Sequence, residues 1–265
     1  MTDHLLTAVE DGIARITFNR PDQRNAGSPE MLEALLAFLL AAEQDTAIRC
    51  IVINGAGKHF MAGGDVKGFA LAATQTPGER RLSFEARVTK GNLILSVMNR
   101  LPQPILASVH GVAAGAGLGF AIASDLVIAA ESAGFVLAHV NVGASPDAAT
   151  SYHLPRAVGV KKAMEIALLG DVVNARSAQD CGLINWVVPD DELIAETDKI
   201  ARRLANGPAM AQAQIKSLIT RSLGNDLASQ LAAEAESMGY SASSQDFIEG
   251  PQAFMQKRKP RFSSR

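Results

Sequence analysis

The stretch Pro104–Asp147, PILASVHGVAAGAGLGFAIASDLVIAAESAGFVLAHVNVGASPD, decides how the whole chain reads. Ile105 to Val109 is a β-run, Gly111 to Gly117 a loop of small residues, Leu118 to Ala123 a short apolar helix and Leu126 to Ala130 a second β-run. Where a strand passes through glycines into a helix, backbone N–H groups lack intrahelical partners and the helix dipole favours negative charge. Such a turn can hold an oxygen on which charge develops. The device recurs earlier. After the β-run Cys50 to Asn54 come Ala62, Gly63, Gly64, Asp65 and Val66, which match Ala114, Gly115, Ala116, Gly117 and Leu118 at a separation of 52 residues. Gly64 and Ala116 are then equivalent, and two converging N–H groups make an oxyanion hole.

Outward from this stretch, strands and helices alternate until about residue 190. Val9 to Asn19 reads as a hairpin, with an Asp11-Gly12 turn followed by Ala14, Ile16 and Phe18 on alternate positions. Ser28-Pro29-Glu30 is a helix start, and Met31, Leu32, Leu35, Leu36 and Leu39 form the apolar stripe behind it. Ala70 to Pro77 reads as a loop, Glu79 to Leu101 as a long helix stopped by Pro102. Further on, a helix is expected over Leu154 to Gly170, a short one over Ala175 to Gly182 and a strand over Leu183 to Val188. From Asp190 onward only helical patterns remain, over Glu192 to Asn206, Pro208 to Leu223 and Asp226 to Met238. The change suggests two regions, residues 1–195 and 196–265.

Composition bounds the function. The 265 residues are 48% hydrophobic and 20% charged, as in a soluble globular protein with a sizeable core. A formal net charge of −2 gives no reason to expect nucleic acid or an acidic membrane as partner. Asp125 interrupts the best apolar run, and the first residues lack a basic flank followed by an apolar run. Cys50 and Cys181 are too few for a disulfide framework, so a cytoplasmic location is the expectation. Paired Cys/His spacing of the metal-site kind is missing, so no metal is expected. Gly115, Gly117 and Gly119 hint at a dinucleotide loop, but Phe120 stands where that fingerprint has its third small residue.

The segment KHFMAGGDVKGF resembles the first signature of the crotonase (enoyl-CoA hydratase/isomerase) family, and HGVAAGAGLGFAIASDLVIAA resembles its second almost end to end. RPDQRNAGS, LPRAVGVKKAMEIALLGD, ARSAQDCGLINWVVPDDEL and EGPQAFMQKRKPRF extend the likeness over nearly the whole chain. The resemblance implies an α/β fold, a spiral of repeated ββα units followed by a C-terminal helical region that packs trimers, and a homotrimer or dimer of trimers as the assembly. It also implies a coenzyme A thioester as substrate and no permanently bound cofactor. The loop over Ala70 to Pro77 would border the acyl pocket. Arg24 and Lys257 match basic residues that lie close to the CoA phosphates in the family, often across subunits, and Ala62, Asp65 and Val66 match the turn whose backbone receives adenine. The same basic tail, Lys257 to Arg261, equally reads as solvated charge.

Hydration of an enoyl thioester in this family uses two glutamates. The resemblance places the first at Gly119 and the second at His139, so both are absent. A carboxylate stands eight residues after His139, at Asp147, and resembles the Pro-Asp element of family members that act as isomerases. One carboxylate can remove a proton from one carbon and return it to another while an oxyanion hole holds the enolate. Ser145-Pro146-Asp147 is also a serviceable helix start with an acid in the first turn. His139 brings an imidazole, which can orient or protonate a substrate group or be a hydrogen-bonded histidine at the edge of the core. A thioester hydrolase, a hydratase using other acids and a non-catalytic acyl-CoA binder stay open beside the isomerase.

Overall fold

The structure is a computed structural model, and it describes residues 2–64 and 71–263. Strand β1 (Leu5–Glu10) turns through Asp11 and Gly12, both at positive φ, into the antiparallel β2 (Ile13–Phe18). From β2 the main sheet continues in parallel through β3 (Cys50–Gly55), β4 (Ile105–Val109), β6 (Leu126–Ala130) and β9 (Trp186–Val188). Side chains alternate across it. Ile51 and Ile53 enter the larger core, while Cys50 and Val52 face a second core on the other side. Burial there pushes the Cys50 thiol up to about 12.

A smaller sheet holds β5 (Val112–Ala114), β7 (Gly134–Val136) and β8 (Val173–Asn174). Parallel bridges Met61–Ala113 and Gly27–Gly64 continue it toward the start of the chain. Each turn of the chain therefore gives one stretch to the large sheet and the next to the small one, then returns through a helix. This is the expected spiral of ββα units.

The helices are α1 (Pro29–Gln44), α2 (Pro77–Arg100), α3 (Ala116–Ala123), α4 (Thr150–Leu169), α5 (Ala175–Asp180) and α6 (Leu193–Ala205), then α7 (Ala209–Ser222), α8 (Leu227–Ala242) and α9 (Gln245–Met255). Ser28 Oγ caps α1 by accepting from Met31 N at 3.2 Å, and Met31, Leu35 and Leu39 bury one face. Thr76 and Glu79 form a reciprocal capping box on α2, which begins two residues before Glu79. A 3₁₀ turn, Leu71–Thr74, precedes it, so the described part of the expected loop is short and ordered around that cap. Ala70 lies outside the described residues.

Three expectations are corrected. Val112 to Ala114, read as loop, is a strand, because Met61 and Val136 pair with it from either side. Asp147 does not start a helix. Ala148 and Ala149 are both left-handed, and α4 begins only at Thr150, with no acid in its first turn. That helix also starts before Leu154, and it is broken at Gly159, whose φ of 76° is not helical.

α6 straddles residue 195, where a second region was expected, and packs Leu193, Ala201 and Ala205 against the main sheet. The later helices stand further off. Lys216 of α7 ties them to the spiral, reaching Asp125 Oδ2 at 2.7 Å and the carbonyls of Met98 and Gln103. Ile215 and Ile219 of α7, Leu223 at its C-cap, and Leu227 and Leu231 of α8 form an exposed apolar face. Among the described residues no helix is long and apolar enough to cross a membrane.

Candidate active site

Two glycine turns meet at the centre of the site. Gly63 has φ 92°, and a Cβ there would stand 3.0 Å from the Ala114 carbonyl and 3.5 Å from Ala116 N. Gly115 has φ 53° and ψ −120°, and a Cβ there would come to 3.8 Å from Gly63 Cα. Only glycine fits that approach at those dihedrals. The neighbouring backbone groups are already used. The Gly63 carbonyl accepts from Gly27 N at 2.8 Å, and Gly115 N donates to the Val136 carbonyl at 3.0 Å. Among the described residues no backbone acceptor meets the N–H of Gly64 or of Ala116. Ala116 is the first residue of α3, so its N–H is one of the donors the helix itself leaves unpaired.

Gly64 and Ala116 both line a cavity of about 660 Å³. Ala62, His139 and Asp147 line it too, so the structure gathers Gly64, Ala116, His139, Asp147 and Ala62 at one place. One wall is α2, whose Phe84, Val88 and Leu95 give it an apolar surface while Arg81 and Glu85 pair at 3.1 Å on the same helix.

His139 sits at the end of the segment that leaves β7. Its carbonyl accepts from Val142 N and Ala144 N, which folds the loop back and brings Asp147 beside the ring. His139 Nε2 and Asp147 Oδ1 are 2.9 Å apart. A carboxylate only accepts, so with Asp147 ionised the Nε2 carries the proton. The ring is 12% exposed and its Nδ1 is buried with no hydrogen-bond partner among the described residues, whereas Asp147 is 37% exposed toward the cavity. Its carboxylate is thus within reach of a bound molecule and held from behind by the imidazole.

Arg24 lies under the first turn, its carbonyl accepting from Ala62 N at 2.9 Å. Burial, then the positive charges of Arg24, His110 and Lys58, hold His59 below the usual histidine range. Lys257 caps the end of α9 in a left-handed conformation, exposed and apart from the cavity wall. Asp65 and Val66 lie outside the described residues. Among the described residues no group of three or more His, Cys, Asp or Glu could hold a metal ion.

Sequence reasoning missed Asn25, fully buried at φ 58°. Its Nδ2 donates to the carbonyls of Ala56, His59 and Phe60, and its Oδ1 accepts from Arg20 N at 2.9 Å. It fixes the loop that presents Ala62. An asparagine in a polar loop carries that signal only weakly. The α2 wall was missed as well, because its first half has no apolar stripe to mark a buried face.

The family model for enoyl-CoA hydratase/isomerase matches residues 8–265. The chain belongs to this family. Over the whole of both chains it is 37% identical to the 1,2-epoxyphenylacetyl-CoA isomerase of Escherichia coli (strain K12). It is 38% identical to a probable enoyl-CoA hydratase of Rhodobacter capsulatus, over 97% of this chain and 96% of that one. A crystal structure of a putative enoyl-CoA hydratase/isomerase from Mycobacterium abscessus superposes with a TM-score of 0.92 at 32% identity, covering 98% of this chain and 100% of the other. The fold is that of the crotonase enzymes, and the protein is an acyl-CoA enzyme of the enoyl-CoA hydratase/isomerase family. Hydratase and isomerase names both occur among these relatives.

Proposed function

We propose that the protein is an enoyl-CoA isomerase that moves a double bond by proton transfer. The observation that carries this reading is the pairing of Asp147 with His139 beside the N–H groups of Gly64 and Ala116, at a site that has glycine at position 119. The thioester oxygen would sit between the two N–H groups. Asp147 removes a proton from the carbon next to the carbonyl, and the electron pair of that C–H bond passes toward the thioester oxygen as a dienolate that keeps the C=C. The same proton then returns to the far carbon of the conjugated system, and the product keeps the mass of the substrate. His139 Nε2–H holds the carboxylate in place between the two steps. A single base suffices because no water is added.

Positive charge from Arg24 and Lys58 supports the CoA phosphates on that side, with Ala62, Asp65 and Val66 at the adenine and Lys257 reaching from another subunit. A homotrimer or dimer of trimers belongs to this reading, supported by the exposed apolar face of α7 and α8 in the helical region after residue 195. So does a cytoplasmic location, supported by the two free cysteines. The pairing of His139 with Asp147 also favours, second, a thioester hydrolase in which the pair activates water.

The test is incubation with a 3-enoyl-CoA and, separately, a 2-enoyl-CoA, with products followed by mass and chromatography. Conversion of the first at constant mass is expected. Gain of one water on the second would make the protein a hydratase, and release of free CoA thiol a hydrolase; either overturns the isomerase.

A further inference from the structure

Gly119 is buried on the second turn of α3, and a Cβ built there would meet the Ala148 carbonyl oxygen at 2.5 Å and Ala148 Cβ at 2.7 Å. Real side chains do not come so close. Position 119 is therefore closed as well as vacant, and the residue that closes it is the one after Asp147. Ala148 has φ 49° and Ala149 φ 56°, two successive left-handed residues with side chains. Such a pair persists only where its surroundings hold it. Here Thr150, fully buried, donates from N (3.0 Å) and Oγ1 (2.7 Å) to the Asp147 carbonyl, and Ala148, 7% exposed, rests on the bare surface of Gly119. The turn reverses the chain and leaves the Asp147 side chain against His139.

We propose that Ala148 is a positioning residue for Asp147 and determines the reaction's specificity. Seated on Gly119, it sets the Asp147 carboxylate against His139 and fills the room that a second, water-activating carboxylate at 119 would need. The inference rests on Asp147 being the base. It makes Gly119 and Ala148 one coupled unit, although each alone looks like a small residue of no chemical interest.

The test uses the full chain as G119A, A148G and the double variant. For each, kcat and KM are measured on a 3-enoyl-CoA, and the His139 imidazole resonances are recorded by NMR. G119A forces Ala148 off its seat, so kcat falls by about 10²-fold with little change in KM, since a misplacement of about 1 Å suffices for that, and the His139 signals move. A148G adds no atom and its glycine tolerates the left-handed backbone, so it folds even where G119A does not; its freed turn lowers kcat by less than G119A and broadens the His139 signals. The double variant loses the methyl contact at 148 but keeps the contact with that residue's carbonyl oxygen, so its loss exceeds that of A148G and is smaller than the product of the two single losses. Unchanged kcat and His139 signals in A148G, or losses in G119A and A148G that simply multiply in the double variant, overturn the inference. A wild-type protein that turns over no enoyl-CoA would count against the isomerase reading, while the His139 resonances would still decide the seat of Ala148.

Discussion

Asp147 Oδ1 stands 2.9 Å from His139 Nε2, and the loop between them is closed by the His139 carbonyl accepting from both Val142 N and Ala144 N. The His139 carbonyl closes one side of the turn that holds the acid beside its hydrogen-bond donor, and the packing of Ala148 on Gly119 closes the other. The cavity-facing carboxylate is the group whose chemistry can be tested most directly.

Replacing Asp147 by Asn keeps the shape and a hydrogen-bonding oxygen but removes the base. Isomerisation should fall by about 10²- to 10⁴-fold, the usual worth of a positioned acid or base, while a saturated acyl-CoA still binds by calorimetry. His139→Gln, which retains a donor, should lose less than Asp147→Asn. Equal turnover by Asp147→Asn and wild type would remove Asp147 from the chemistry.

Ala116→Pro removes one N–H of the oxyanion site and puts the ring Cδ in its place. Proline is tolerated at the first position of a helix, and Ala116 holds that position in α3, so the fold should survive. The N–H is gone. A loss of about 10²- to 10³-fold in kcat is expected for one missing donor, with the thermal midpoint close to wild type. Full activity would mean that the thioester oxygen sits elsewhere.

Gly117→Ala tests how tightly α3 is set down on the strand beneath it. A Cβ at 117 would lie 2.1 Å from the Met61 carbonyl oxygen, a backbone atom that cannot turn aside. Overpacking of this kind costs about 1–3 kcal/mol, sometimes more, to be read from urea unfolding. An unchanged midpoint would show that α3 can lift away from the strand without penalty.

Acid should loosen the end of the chain before the spiral. Hydrogen bonds from Arg258 and then from Arg261 N lower the Glu249 carboxyl from its ordinary 4.5 to about 2. A folded value below the unfolded one means that the group stabilises above 4.5 and that the contribution disappears as pH falls through about 2. Thermal melts of wild type and Glu249→Gln should therefore converge over that window and differ at pH 7. Parallel curves from pH 7 to 2 would contradict the pairing.

The local pattern of the chain was enough for much of this. Alternation in Ala14, Ile16 and Phe18, the Ser28 cap and the small residues before Leu118 each point to one conformation through neighbours a few residues away, and the structure has a strand, a helix start and a strand-to-helix turn there. The free N–H of Ala116 follows for the same reason from how a turn enters a helix.

Tertiary structure decided the rest. β5 and β7 have three residues each and become strands because they pair with one another, with Met61 on the far side of β5 and β8 on the far side of β7. The sequence around Asp147 offers a good helix start, yet packing on Gly119 holds Ala148 and Ala149 left-handed and delays the helix to Thr150. Whether Asp147 caps a helix or faces a cavity thus depends on a glycine in another helix. A local signal measures the preference of one segment, whereas the choice between two nearly equal conformations is made by whatever the rest of the chain packs against it.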